Sequence, residues 1–139
     1  MSKQSEQNVA VATIDMGETR YAVSVRAGEH GFLADEPEPE GADAGPSPFG
    51  LVLSGLGACT AITLRMYAER KGLPLKAIHI ALAFSWRDRD GSKVPHIERE
   101  LRLDGPLDDA QRARCAEIAD KSPVTRALKG GIEIQTVLR

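Results

Sequence analysis

The stretch that decides the fold is Pro48-Phe-Gly-Leu-Val-Leu-Ser-Gly-Leu-Gly-Ala-Cys59-Thr-Ala-Ile-Thr-Leu-Arg-Met-Tyr-Ala-Glu-Arg-Lys71. Ser47 precedes it and is a favourable N-cap residue, and a proline suits the first turn of a helix. At the other end, the basic Lys71 is followed by Gly72, a residue that commonly ends helices. These signals predict one long helix over about residues 48–71.

The predicted helix is apolar around almost its whole circumference between Leu51 and Ile62. A small domain with one sheet on one side hardly covers such a surface by itself. Gly50, Gly55 and Gly57 each cost a helix roughly 1 kcal/mol relative to alanine, so their presence suggests close approach of another backbone or helix. We therefore expect a partner chain to cover this helix in a homodimer.

A chain of 139 residues suits one compact domain with a modest core, so we expect a single domain over residues 1–139. Its charge is nearly balanced, with 18 basic and 20 acidic side chains. No block of Lys or Arg offers the concentrated positive face that nucleic acid or an anionic membrane needs. The apolar stretch of residues 49–64 has 16 residues, with serine, threonine and glycines among them, and is shorter than the roughly 18 mostly apolar residues of a membrane-spanning helix. The absence of a signal-peptide pattern and the low cysteine count predict a cytoplasmic protein.

Two segments rich in β-branched and apolar residues precede the helix, residues 9–15 and 20–26, and they predict a β-hairpin. Residues 31–34 are a possible third strand. Residues 35–48 are acidic and rich in proline and glycine, which predicts a surface loop close to any site that the chain forms.

A second hairpin is predicted after the helix. Residues 77–86 alternate large apolar side chains with small ones, as in a strand whose small face could press on a helix. Residues 87–93 have the composition of a turn, and residues 96–103 alternate apolar with charged side chains, which predicts the partner strand. The charges from Glu98 to Arg102, including Arg99, are most simply interpreted as solvated.

The last third of the chain predicts two helices and a strand. Asp108 and Gln111 form a capping-box pattern for a helix that reaches about Lys121. Ser122, as N-cap, and Pro123 open a short helix that two glycines close, and residues 132–138 predict a final strand. The order of the elements predicts an α+β fold with the long helix packed on antiparallel sheets.

Five segments of the sequence carry a family resemblance: Ala34-Asp-Glu-Pro37, Ala44-Gly-Pro-Ser-Pro48, Leu56-Gly-Ala-Cys59-Thr-Ala-Ile-Thr-Leu-Arg-Met-Tyr-Ala-Glu-Arg-Lys71-Gly-Leu-Pro-Leu75, Ile118-Ala-Asp-Lys-Ser-Pro-Val-Thr-Arg-Ala-Leu128 and the terminal Ile-Gln-Thr. Together they resemble the OsmC/Ohr family over nearly the whole chain, and within it the members with a Gly-Ala-Cys-Thr segment in the central helix. The resemblance implies an intertwined α+β homodimer whose two sites lie at the subunit interface. It also implies reduction of organic hydroperoxides by a pair of cysteines.

The resemblance makes Cys59 the thiol that attacks the peroxide. The resolving cysteine of the family would lie at Ser122, and a serine cannot form the disulfide. Phe49 and Gly50 stand where the family has a carboxylate that holds an activating arginine, and residues 35–45 contain no arginine. The implied machinery is therefore carried over for Cys59 only.

Cys59 has a structural interpretation beside the reactive one, because a free cysteine on an apolar helix usually packs as a small hydrophobic residue. Peroxide cleavage requires a thiolate, which attacks the O–O bond and becomes a sulfenic acid. The helix macrodipole gives little help in the middle of a helix, so an arginine from elsewhere in the dimer would have to activate the thiol.

The other candidate residues carry weaker signals. Candidates for the pocket or the interface are Phe49, Gly50, Thr60, Arg65 and Arg126. For the two arginines, surface or interface pairing is the usual role. Cys115 lies on the apolar stripe of its predicted helix, where core packing is expected. The three histidines have no ligand-like spacing, so we expect no metal.

Two functions remain open. The first is thiol-dependent reduction of organic or fatty-acid hydroperoxides by Cys59, in oxidative-stress defence, with an external thiol as reductant and no cofactor. The second is a dimer that has lost catalysis and binds an apolar small molecule at its interface. The serine at position 122 and the Phe49-Gly50 pair favour the second.

Overall fold

The structure is a computed structural model that describes residues 7–139. Its elements follow in the order β1 (Ala12–Asp15), β2 (Val23–Ala27), β3 (His30–Ala34), α1 (Pro48–Lys71), β4 (Ala77–Arg89), β5 (Ser92–Asp104), α2 (Asp109–Ala119) and α3 (Pro123–Gly130). The chain divides into two compact units, Met1–Leu51 and Val52–Arg139. We describe each unit by itself. The α+β class predicted from the sequence is confirmed.

The first unit contains a three-stranded antiparallel sheet in the order β1-β2-β3. Ile14, Val25 and Phe32 lie side by side across the three strands. The predicted hairpin and the possible third strand are therefore confirmed, with shorter first and second strands than the sequence suggested. A turn of two residues, with Gly28 at a φ of 60°, joins β2 to β3.

The loop after β3 is organised around the buried carboxylate of Asp35. Its oxygens accept hydrogen bonds from the backbone N–H groups of Glu36 (2.7 Å), Ala42 (3.2 Å) and Ala44 (3.2 Å). Burial raises the pKa of Asp35, but these three N–H donors together outweigh it, so the pKa lies below its ordinary value. At Gly41 a side chain would run into the Glu36 carbonyl, which explains why the loop needs glycine there.

Helix α1 spans Pro48–Lys71, as the sequence predicted. The Ser47 hydroxyl accepts a hydrogen bond from the Gly50 N–H at 3.1 Å and so caps the helix. Gly72 follows the last turn with a φ of 64°, a conformation that glycine adopts readily and that ends the helix.

The second unit contains a long antiparallel hairpin of β4 and β5. The ladder runs without interruption from Ala77 opposite Asp104 to Arg89 opposite Ser92. Only Asp90 and Gly91 form the turn, and both have positive φ angles, 50° and 82°. This is the two-residue turn whose twist matches a hairpin, so the predicted seven-residue turn was too long.

The face of the hairpin that packs on α1 is the one with large apolar side chains. A shallow apolar groove of about 360 Å³ separates the two elements, lined by Leu53, Ser54, Gly57, Ala58, Ala61, Ile78, Ile80 and Leu82. A Cβ atom at Gly57 would lie only 2.9 Å from Cδ1 of Leu82, so the helix approaches the strand closely at this glycine. The prediction that the small face meets a helix was wrong, because burying the larger side chains removes more apolar area from water.

Helices α2 and α3 follow the hairpin. The capping box predicted for α2 is confirmed: the Gln111 N–H donates to the Asp108 carboxylate at 2.7 Å, and the Asp108 N–H donates to Oε1 of Gln111 at 3.0 Å. The helix ends at Ala119, two residues before the predicted end. The core of the unit consists of buried residues from α1, β5, α2 and the connections before β4 and α2: Leu64, Tyr67, Ala68, Leu75, Leu103, Leu107, Cys115 and Ala119.

Residues 132–138 do not form the predicted final strand. Their apolar side chains are exposed, from 61% for Ile132 to 96% for Leu138. A strand requires a neighbouring strand for its backbone hydrogen bonds, and within residues 7–139 of this single chain the segment pairs with none.

By length and composition alone, α1 is apolar enough to cross a membrane. In the second unit, however, Leu64, Tyr67 and Ala68 of this helix pack in the core with residues of the hairpin and α2. The Arg65 guanidinium on the same helix donates to the backbone carbonyl of Leu75 at 2.5 Å. We therefore assign α1 as a core helix rather than a membrane span, in agreement with the sequence prediction.

Asp35→Asn is expected to lower the free energy of unfolding near neutral pH and to flatten its decline in acid. The pKa of Asp35 in the folded state lies below the ordinary value of 3.8. The carboxylate therefore stabilises the fold above that value, and its contribution is lost as the pH falls through the lower folded-state value. Urea denaturation from neutral pH down to about pH 2 measures both effects. Asp43→Asn on the same loop is the control, and equal acid slopes in the two variants would contradict the assignment.

Candidate functional site

Cys59 lies in the middle of α1 and is partly exposed. Val52, Ile62 and Met66 share its side of the helix, at spacings of three and seven residues, and all three are exposed. The next residue, Thr60, lies about 100° further around the helix and is fully buried. The thiol therefore borders an exposed apolar stripe on one side of the helix, while its neighbour faces the interior.

A buried polar cluster begins at Thr60. Its hydroxyl donates to the carbonyl of Leu56 one turn earlier, at 2.7 Å, and accepts a hydrogen bond from Nη1 of Arg99 at 2.9 Å. The same Nη1 donates to Oγ1 of Thr125 at 2.8 Å, and Nη2 of Arg99 donates to the Asp120 carboxylate at 3.0 Å. The Arg99 guanidinium thus joins β5 to α1, to α3 and to Asp120, the C-cap residue that follows α2.

Ser122, the predicted resolving position, belongs to this cluster. It occupies the N-cap position of α3, but its hydroxyl does not cap the helix. Instead the hydroxyl shares a hydrogen bond of 2.6 Å with Oγ1 of Thr125, and both residues are buried. Ser122 therefore holds the predicted N-cap position, but its hydroxyl bonds the Thr125 side chain three residues later instead of a backbone N–H of the helix.

Arg99 is the functional candidate that sequence reasoning missed. Its side chain is 13% exposed, and its ionic partner Asp120 is 60% exposed. On the hairpin it lies opposite Leu82 and between Ile97 and Leu101 on the apolar face. The signal in the sequence is a charged residue at an apolar position of a period-two pattern. The interpretation of Glu98 to Arg102 as a solvated run does not hold for Arg99.

The other predicted residues lie apart from this cluster or serve structural roles. Nη1 and Nη2 of Arg65 donate to the carbonyls of Leu75 and Lys76, at 2.5 and 3.4 Å, and so tie α1 to the start of β4. Arg126 is exposed on α3. Phe49 and Gly50 belong to the first unit. Of the predicted set, the structure therefore connects Thr60 and Ser122 through Arg99 and Thr125.

Cys115 is completely buried in the core of the second unit. Burial raises the pKa of its thiol, and the nearby charge of Arg112 opposes this only in part. The Arg112 guanidinium is occupied by the carbonyls of Leu103 and Gly105, at 2.6 and 3.0 Å. A thiol in this setting packs as a hydrophobic side chain, as predicted, and is poorly suited to nucleophilic chemistry.

Among residues 7–139, no group of three or more His, Cys, Asp or Glu side chains is arranged to hold a metal ion. The expectation of a metal-free protein remains a prediction. The apolar groove between α1 and β4 does not include Cys59 among its lining residues.

Residues 41–137 match the model of the family described as OsmC-like protein. The chain therefore belongs to the OsmC-like family. A comparison with curated proteins found no match.

Solved structures have the same fold at low sequence identity. An OsmC-like protein from Mycoplasma pneumoniae is 18% identical with a TM-score of 0.75, over 88% of this chain and 89% of that one. An organic hydroperoxide resistance protein OsmC from Legionella pneumophila is 16% identical with a TM-score of 0.66, over 88% and 90% of the two chains. The organic hydroperoxide resistance protein OhrB of Bacillus subtilis is 20% identical with a TM-score of 0.63, over 88% and 92%. These similarities confirm the fold that the sequence resemblance implied.

The two thiols are expected to differ sharply in reactivity in the native protein. Cys59 is partly exposed, whereas Cys115 becomes accessible only through local or global opening of the core. Iodoacetamide should therefore modify Cys59 at least about 100-fold faster than Cys115, as peptide mapping by mass spectrometry would measure. In about 6 M guanidinium chloride the two rates should converge, which is the control. Comparable native rates would contradict the placement of Cys115 in the core.

Proposed function

We propose that the protein reduces organic hydroperoxides with Cys59 and an external thiol. The proposal is supported by the position of Cys59, a partly exposed thiol in the middle of α1. Family membership supports it as well, together with structural neighbours whose names describe organic hydroperoxide resistance. Fatty-acid hydroperoxides are the finer expectation within this class. The cytoplasm, where thiol reductants are abundant, is the compartment that fits such a reaction.

Peroxide reduction and regeneration of the Cys59 thiol proceed in three steps. The Cys59 thiolate attacks the terminal, hydroxyl-bearing oxygen of the hydroperoxide and the O–O bond breaks. Cys59 becomes a sulfenic acid, and the leaving alkoxide takes a proton to become an alcohol. A small-molecule or protein thiol then attacks the sulfenic sulfur and releases water, which leaves a mixed disulfide. A second thiol reduces this disulfide, so that two external thiols are oxidised for each peroxide reduced.

An external thiol is required because neither internal candidate can resolve the sulfenic acid. Position 122 carries a hydroxyl, which is already bonded to Thr125. Cys115 has no exposed surface, and its raised pKa disfavours the thiolate. The proposed enzyme therefore works with one reactive cysteine.

Binding of an apolar small molecule without turnover is the second candidate function. The apolar groove of about 360 Å³ between α1 and β4 favours it, since this volume falls within the usual range of ligand sites. The exposed apolar stripe beside Cys59 adds to the apolar surface of the helix.

We further propose that the protein works as a homodimer. Val52, Ile62 and Met66 expose apolar area along α1, and the C-terminal segment exposes Ile134 and Leu138. Large exposed apolar side chains in this number are typical of a surface that a partner covers. A second copy of the chain is the occupant that the family resemblance implies.

Cys59→Ser is expected to abolish peroxide turnover, whereas Cys115→Ser should retain it. The sulfur of Cys59 is the only proposed nucleophile, so its loss removes the covalent step. Consumption of cumene hydroperoxide with dithiothreitol or a dihydrolipoyl thiol as reductant measures turnover. Oxidation of Cys59 once per chain without turnover under either thiol would contradict the peroxidase and favour the binding protein.

Ile62→Glu is expected to shift the protein from dimer to monomer, because a glutamate on the apolar stripe would bury an unpaired charge. Light scattering should give about 30 kDa for the wild type, twice the chain mass of 15.0 kDa, and about 15 kDa for the variant. Ala116→Glu places the same side chain at an exposed position of α2 and should leave the dimer intact. A monomeric wild type would refute the dimer.

A further inference from the structure

The position of Arg99 has an unfavourable desolvation free energy. A guanidinium with 13% of its side chain exposed has lost most of its hydration, and its neighbours on the hairpin face are apolar. An aliphatic side chain between Ile97 and Leu101 would pack there without this cost. The hydrogen bonds that Arg99 makes must therefore offset the desolvation, and they are directed at hydroxyls on two different helices.

The helix turn that Arg99 reaches is the weakest part of α1 by composition. Gly55 and Gly57 lie just before Cys59, and each glycine lowers helix stability by roughly 1 kcal/mol relative to alanine. Thr60 closes this turn, because its hydroxyl donates to the Leu56 carbonyl. With the hydroxyl hydrogen used in this way, an oxygen lone pair of Thr60 accepts the hydrogen bond from Arg99.

Thr125 on α3, the second hydroxyl that Arg99 contacts, is also held by several hydrogen bonds. Thr125 accepts from the same Nη1 of Arg99, donates towards the Ala119 carbonyl at 3.3 Å and shares a hydrogen bond with Ser122. Within residues 7–139, every buried side-chain nitrogen and oxygen has a hydrogen-bond partner. A fully satisfied buried network of this kind holds its members in one geometry.

We propose that Arg99 is a positioning residue for Cys59. Through Thr60 it fixes the turn of α1 that carries the thiol, and thereby holds the sulfur in the orientation that in-line attack on a peroxide bond requires. The sulfur must approach along the O–O axis, so a small loss of orientation lowers the rate of this reaction more than that of an alkylation limited by access. The inference rests on the proposed function for the identity of the reaction.

The test compares Arg99→Met, Thr60→Val and Thr60→Ser with a matched control, Arg65→Met. Arg65 also ties α1 to the hairpin, through the carbonyls of Leu75 and Lys76, so its loss controls for the removal of a tethering arginine. Thr60→Val replaces the hydroxyl by a methyl group of similar shape, and it carries the test if Arg99→Met fails to fold. Three quantities are measured: Cys59 oxidation by cumene hydroperoxide, Cys59 alkylation by iodoacetamide, and amide hydrogen exchange over residues 55–60.

Arg99→Met and Thr60→Val should each slow peroxide oxidation about tenfold and raise hydrogen exchange over residues 55–60 about tenfold, since each removes a hydrogen bond to a charged group. Alkylation should change less than twofold. Thr60→Ser should restore the wild-type values, and the double variant should be no slower than either single one. Arg65→Met should leave both the oxidation rate and the local exchange within twofold of wild type.

Wild-type oxidation rates in Arg99→Met and Thr60→Val would overturn the inference while leaving the proposed function intact. An equal slowing in Arg65→Met would also overturn it, since general loosening would then explain the effect. If the wild type oxidises no faster than free cysteine, the proposed function fails. In that case hydrogen exchange over residues 55–60 still tests whether Arg99 stabilises this turn of α1. Unchanged exchange in Arg99→Met and in Thr60→Val would refute that role of Arg99.

Discussion

Helix α1 is the longest and most apolar helix among residues 7–139, and the packing of its apolar side chains organises the core of the second unit. The hairpin turns its large side chains towards the helix, and Gly57 lets the two approach until Leu82 leaves no room for a Cβ atom. Helix α2 completes the core from another side through Cys115 and Ala119. The hairpin and α2 leave the apolar stripe beside Cys59 uncovered. The thiol therefore lies at the edge of the packed core and stays partly exposed.

The sequence predicted those features that depend on neighbouring residues. The bounds of α1 and the capping box of α2 follow from cap residues within one turn, and both are confirmed. The two-residue turn at Asp90-Gly91 is also local, but the charged residues around it concealed the length of the strands. The segment 132–138 has a strand pattern without a strand, because pairing depends on a partner that a pattern cannot specify.

The candidate site was predictable only in part, because its contacts join residues that are distant in the sequence. Cys59 and Ser122 were identified by the resemblance to a family to which the chain belongs. Arg99 was overlooked because a charged residue in a strand is usually solvated, and nothing nearby in the sequence indicates that two hydroxyls from distant helices converge on it. Buried polar clusters are assembled by tertiary structure, so their members are recognised only when the fold has brought them together.

The cluster of Arg99, Thr60, Thr125 and Ser122 also bears on how this protein can change over generations. Because the members share hydrogen bonds in the interior, a single substitution removes one of the bonds that its partners make there. The effects of substitutions at positions 122, 125 and 99 are therefore expected to depend on one another, as is usual for residues in one hydrogen-bond network. The Ser122 hydroxyl belongs to this network, and a thiol in its place would be a weaker hydrogen-bonding partner for Thr125.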